Sequence, residues 1–239
     1  MTDFRRLKRP RPYKRKMTKR QEVVLEQHVE NPQRFTHVIG LDEVGWGAIA
    51  GPIGVAAVVV PFHFENPGFK DSKRFSTDKS RLAGAVFARA NVLAYEVVFA
   101  TPEEVNEYGP ASSLGYLQRT VVNKLLAQYP DSLVVVDGNK AVAGLRKSIQ
   151  LALPKADSLV PAVSAASIIA KVARDTFMVT LGEQFPDWDF HKNKGYPTPE
   201  HGVKLNAMGP TVHHRMNIAM VREALEKKGW YEGQSTRND

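Results

Sequence analysis

Two short apolar runs, HVIGLDEVG (residues 37–45) and LVVVDGN (133–139), each end in acidic residues with a glycine close behind. Runs this short and rich in Val, Ile and Leu, stopped by turn residues, read as buried strands. Acids at the ends of such strands collect along one edge of a sheet. GPIGVAAVVVP (51–61) and VLAYEVVFA (92–100) supply two more strands. Residues 71–91 open on turn residues and continue with Ala, Val and Phe at helical spacing. TPEEVNEY (101–108) starts a helix with proline in its first turn. LGYLQRTVVNKLLAQYP is an amphipathic helix ended by Pro130, and residues 161–185 form a long helix with a small-residue start. Residues 187–202 read as a polar, His- and Gly-rich loop, and NIAMVREALEKK (217–228) as a final helix. Three strands in succession, then strands alternating with helices, imply an α/β fold with a mixed central sheet flanked by helices and a helical C-terminal segment. The expected organisation is a basic, flexible extension over residues 1–35, one domain over 36–228 and a tail over 229–239.

The charge is uneven. The chain of 239 residues carries a formal +8, yet residues 1–20 hold ten Lys and Arg against one acid. The rest holds 23 bases and 24 acids, so the excess lies in the tail. A segment of this kind, with Pro10 and Pro12 and no apolar periodicity, binds polyanions by counterion release. The alternative is a solubilising extension or a targeting signal. The absence of cysteine excludes disulfides and cysteine-ligated zinc. The longest apolar stretch is broken by Pro52 and falls short of the roughly 18 residues that a spanning helix needs. No secretion-signal core opens the chain. The expectation is a cytoplasmic, membrane-free monomer.

The acids allow two readings. Asp-Gly and Asp-Gly-Asn are ordinary turn sequences. Alternatively, Asp42 and Glu43, which serve one site only if the strand bends at Gly45, join Asp137 and the helical Asp175, one turn after Lys171. Carboxylates gathered without a partner repel one another, and a hard divalent cation such as Mg²⁺ relieves that repulsion. His191, His201, His213 and His214 lack the i, i+4 spacing of helical zinc ligands, so oxygen ligation is preferred.

GLDEVGWGAIAGP, DSKRFS, VVVDGN, VSAASIIAKVARD, NKGYPTPEH and HHR occur in the order found in type 2 ribonucleases H (ribonuclease HII), which the chain resembles over residues 38–218. The resemblance implies a ribonuclease H-like fold that hydrolyses RNA paired with DNA. It also implies nicking of duplex DNA on the 5′ side of an embedded ribonucleotide, leaving 3′-hydroxyl and 5′-phosphate ends. Asp42, Glu43, Asp137 and Asp175 take the catalytic, metal-binding positions for Mg²⁺ or Mn²⁺. Gly45, Trp46 and Gly47 take the place of a loop whose backbone reads the ribonucleotide around its 2′-hydroxyl. Lys73 matches a basic residue near the scissile phosphate, and Tyr196 a tyrosine that packs on the neighbouring deoxyribose. Lys171, Arg174 and Arg215 are further candidates for the groove.

Two departures stand out. The family reads G-R-G where this chain has Trp46, which offers stacking and one donor in place of a bidentate phosphate grip. Trp46 could also be a loop aromatic covering the core edge. In HHRMNIAMV, Asn217, Ile218 and Met220 replace Ser, Phe and Pro. Two other functions compete: a type 3-like ribonuclease H that prefers longer hybrids, and a nucleic-acid-binding module without activity.

Overall fold

The structure, a computed structural model, describes residues 25–227. The basic tail (1–20) and the C-terminal tail (229–239) lie outside the described residues. Five strands form one sheet in the order β3-β2-β1-β4-β5: β1 (His37–Val44), β2 (Ile53–Pro61), β3 (Ala94–Ala100), β4 (Ser132–Asp137) and β5 (Gln150–Leu153). β1, β2 and β3 are antiparallel neighbours, whereas β4 and β5 run parallel to β1. The helices are α1 (Asp78–Ala90), α2 (Pro102–Tyr108), α3 (Pro110–Gln128), α4 (Ala156–Leu159), α5 (Pro161–Gln184), α6 (Phe190–Asn193), α7 (Pro199–Met208) and α8 (Ala219–Lys227).

Strand alternation divides the core into two layers. Val38 and Val44 of β1, with Ala56 and Val58 of β2, pack against Ala162, Val163, Ala165, Ala166 and Ile169 of α5. Ile39 and Leu41 face the other way, towards Leu117, Val121, Val122 and Leu125 of α3. With helices on both faces, β2 is buried from Ile53 to Val60, which explains its uninterrupted apolar run. The small residues opening α5 let it lie close on the sheet. A Cβ on Gly40 would stand 2.4 Å from backbone atoms of Ala162 and Val163. A third cluster, including Ile49, Met178, Trp188, Phe190, Leu205 and Val221, joins the C-terminal helices to the far part of α5.

The sheet, its mixed direction and its flanking helices match the expected fold class; three details differ. β5 escapes the sequence pattern because QLAL is four residues long and half-exposed throughout. Residues 187–202 are no polar loop: they hold a 3-10 turn (Pro186–Trp188), α6 and the start of α7. Trp188, Phe190 and His201 there are buried. The expected flexible extension is also too long within the described part, because Leu25 and Phe35 are buried in the first core layer and Val29 packs against it. Among the described residues no helix is long and apolar enough to cross a membrane.

Candidate active site

Parallel pairing of β1 with β4 sets Leu41 opposite Val136, so Asp42 and Asp137 emerge side by side at the same sheet edge and on the same face. That face is the one α5 covers, and the Ser167 side chain of α5 lies against the Asp42 carboxylate. The Glu43 backbone N–H donates to Asp42 Oδ1 at 2.9 Å. A fourth acid, Asp157 of α4, closes the group. It is 5% exposed, and its backbone N–H points at Asp137 Oδ1 across a long 3.5 Å. Its Oδ2 accepts from Lys73 Nζ at 2.9 Å. Ser164, in the first turn of α5, anchors α4 by donating to the Asp157 carbonyl at 2.5 Å.

Asp175, expected in the same set, stands apart from this group. Its carboxylate is paired with Lys171 Nζ at 2.8 Å, one turn back along α5. It lies eight residues beyond Ser167, about 12 Å further along the helix axis. The charges that act on Asp42 and Glu43 include those of Asp137 and Asp157. The sequence offered one faint signal for Asp157, an acid placed just ahead of the small-residue start of α5. Asp-Ser before a proline reads as an ordinary turn, and no strand ends there.

The electrostatics follow from the crowding. Asp42 is pushed up to about 8, first by burial and then by Glu43, Asp137 and Asp157, against the opposing effect of Ser167. Glu43 is also raised, by burial and then by Asp137. Lys73 is held protonated beyond its usual range, chiefly by its bond to Asp157. Among the described residues no three Asp, Glu, His or Cys side chains stand close enough to hold a metal as they are. The donor set nevertheless fits one: four mutually repelling carboxylates, all oxygen, with one lysine as their nearest cation.

The folded Asp42 carboxyl keeps its proton up to about 8, whereas the unfolded one releases it near 3.8. Between those values the folded state binds more protons, so without metal Asp42 stabilises the fold most below about pH 4, and that contribution is lost as pH rises towards 8. Asp42→Asn removes this loss. In melts at pH 7.5 without divalent ions the variant should unfold about 5 °C higher than the wild type, from a gain on the order of 2 kcal/mol. Added Mn²⁺ should raise the wild-type midpoint and leave that of the variant nearly unchanged. An equal shift in both would remove Asp42 from the ion site.

Beside the acids runs the glycine loop. Gly45 has φ +81° and Gly51 +80°, values open to glycine at little cost. Two arginines, expected to line a groove, are buried beneath it: Arg174 is 0% and Arg215 1% exposed. Arg174 donates to the carbonyls of Pro52 (2.9 Å), Ala50 (3.0 Å) and Lys194 (2.8 Å). Arg215 donates to those of Gly51 (3.0 Å), Gly45 (2.7 Å) and Trp46 (3.3 Å). Burial pushes Arg215 down to about 9, with Arg174 adding to the effect. The loop is thus held by its carbonyls from within. A Cβ on Gly47 would meet nothing within 4 Å, and Trp46 is 48% exposed, so the outer side of the loop is open.

Tyr196 is brought to the same place. The Gly195 carbonyl accepts from the N–H groups of Ile49 (2.8 Å) and Ala50 (3.1 Å). The Tyr196 ring stacks near Arg174 (5.2 Å) and Lys171 (5.4 Å). Gly45, Trp46, Gly47 and Tyr196 therefore frame one surface, with Lys73 at the acid cluster.

The ribonuclease HII family profile matches residues 39–222. The ribonuclease HII of Cupriavidus pinatubonensis is 40% identical over 193 residues, 79% of this chain and 86% of that protein. The crystal structure of the ribonuclease H2 from Pyrococcus horikoshii OT3 superposes with a TM-score of 0.66 at 24% identity, covering 82% of this chain and all of the other. The PCNA:RNase HII complex from Archaeoglobus fulgidus gives a TM-score of 0.60 at 27% identity, over 74% of this chain and 92% of that one. A match of this extent, over the segment that carries the acids, the glycine loop and Tyr196, shows that the chain belongs to the ribonuclease HII family.

Proposed function

We propose that this protein is an endonuclease that hydrolyses RNA paired with DNA and nicks duplex DNA on the 5′ side of embedded ribonucleotides. Asp42, Glu43, Asp137 and Asp157 would hold Mg²⁺ or Mn²⁺. The observation that carries this reading is the meeting of four acids from β1, β4 and α4 at one sheet edge, beside a loop braced by buried arginines. A divalent cation bound there supplies charge neutralisation at the phosphate and a more acidic water. The chain's own residues do the rest. Lys73, mostly exposed beside Asp157, offers an ammonium to the phosphate oxygens. Gly45 and Gly47 allow the backbone to approach the 2′-hydroxyl, the group that marks a ribonucleotide. Tyr196 and Trp46 present ring faces on which a sugar or base can pack. Attack by water at phosphorus and departure of the 3′-oxygen leave a 3′-hydroxyl and a 5′-phosphate. Action as a cytoplasmic monomer is part of the same proposal.

The test compares a DNA duplex containing one ribonucleotide with a full RNA/DNA hybrid, in Mg²⁺ and then in Mn²⁺. Cleavage of both, with the nick 5′ to the single ribonucleotide, is the expected result. Cleavage of the hybrid alone would mean that Trp46 in place of Arg has removed junction reading. No cleavage of either would leave a binding module on a nuclease fold.

A further inference from the structure

His201 and His214 take no part in the proposed cleavage chemistry, yet both are completely buried. Their Nε2 atoms face each other at 3.1 Å, packed against the rings of Trp188 and Phe190. Two nitrogens at that distance need one proton between them, and the other nitrogen of each ring decides whose it is. The Thr211 backbone N–H donates to His214 Nδ1 at 3.0 Å, so that nitrogen is bare and the proton sits on Nε2. His201 Nδ1 faces the Tyr196 carbonyl at 2.9 Å, and a carbonyl only accepts, so Nδ1 carries the proton there. The two requirements agree: His214 Nε2–H donates to His201 Nε2.

A second proton on His201 would point at the His214 Nε2–H, and one on His214 Nδ1 would break the Thr211 N–H bond and leave the Thr211 hydroxyl, 3.0 Å away, to accept it. Burial keeps both rings neutral, pushing His214 down to about 3 and lowering His201. The other titratable groups facing the pair, Lys204 towards His201 and His213 towards His214, act in the same direction. The pair also lies where the C-terminal segment meets the glycine loop, since His214 bridges to Ala50 and the Arg215 N–H donates to the Ile49 carbonyl at 2.8 Å.

We propose that His201 and His214 are positioning residues: the one-way chain Thr211 → His214 → His201 → Tyr196 fixes the Tyr196 main chain and so holds its ring beside the glycine loop. The functional half of this inference rests on the reading of Tyr196 as a substrate contact.

Long-range ¹H–¹⁵N correlation spectra of the full chain labelled in histidine, at pH 7.5, test the chain of bonds directly. Protonation of His214 on Nε2 alone and of His201 on Nδ1 alone is expected; an imidazolium or the opposite tautomer at either ring overturns it. His201→Asn keeps a donor where Nδ1 stands, whereas His201→Gln places its amide where Nε2 stands and loses the Tyr196 bond. His201→Gln should raise KM for the single-ribonucleotide duplex about tenfold with kcat within about twofold, and His201→Asn should restore most of the affinity. In a Tyr196→Ala background His201→Gln should have no further effect. An effect of His201→Gln that persists there, falls on kcat, or is absent in the wild-type background overturns the positioning role. If the wild type cleaves neither substrate, the cleavage reading fails by itself. The tautomers, and a shift of the Tyr196 ring resonances in His201→Gln, then still decide this inference.

Discussion

Asp157→Asn should lower cleavage at least about 10³-fold, whereas Asp175→Asn should leave it within about threefold. The contrast follows from what each carboxylate touches. Asp157 is buried among Asp42, Glu43 and Asp137, bonds Lys73, and sits on a helix whose start is anchored by Ser164. Removing its charge would take a ligand from the proposed ion site and free Lys73, the lysine proposed to meet the phosphate. Asp175 pairs with Lys171 on the same helix and acts on the neighbouring Arg174, but none of the acids at the sheet edge is bonded to it. Single-turnover cleavage in saturating Mg²⁺, with far-UV circular dichroism to confirm folding, measures both. Asp42→Asn and Asp137→Asn should match Asp157→Asn. A loss in Asp175→Asn together with near-normal turnover in Asp157→Asn would return the fourth position to the helix.

Gly45→Ala should be the most damaging change outside the acids, costing about 3–5 kcal/mol of stability and most of the activity. Gly45 holds φ at +81°, which by itself costs an L-residue about 1–2 kcal/mol. The new Cβ would stand 2.3 Å from Arg174 Nε and 2.7 Å from the Pro52 carbonyl oxygen. Arg174 is fully buried, so it can move only by giving up its bonds to the carbonyls of Pro52, Ala50 and Lys194. Chemical denaturation measures the stability term, and the ratio of single-ribonucleotide to hybrid cleavage reports the loop. Gly47→Ala is the control. Its Cβ meets nothing within 4 Å, so it should fold normally and lose affinity for the ribonucleotide alone. Equal stability losses in the two variants would mean that the buried arginine does not brace the loop.

Much of the architecture was legible because its signals are local. β1 and β4 announce themselves by apolar runs that stop at Asp42-Glu43 and Asp137-Gly138, and α5 by its length and small-residue opening. β5 was not legible: four half-exposed residues carry too little pattern, and its pairing with β4 supplies the strand. The segment 187–202 misled for a related reason. Its polar composition suggests a loop, but Trp188, Phe190 and His201 are spread along it so that they meet only once the chain turns back onto α5.

The sequence by itself determined the mixed α/β class, the sheet edge where Asp42, Glu43 and Asp137 emerge, the glycine loop and, through its motifs, the family. Periodicity and turn chemistry act over a few residues and can be read in order. Only the tertiary structure decided the placement of Asp157 beside those acids, the burial of Arg174 and Arg215 and the His201–His214 pair. Arg174 finds two of its three carbonyl partners 122 and 124 residues away, and Arg215 finds two of its own 164 and 170 residues away. A charged or titratable side chain leaves water only where such groups replace its hydration. Whether they do depends on loops that meet after folding, and no local stretch of sequence contains that information.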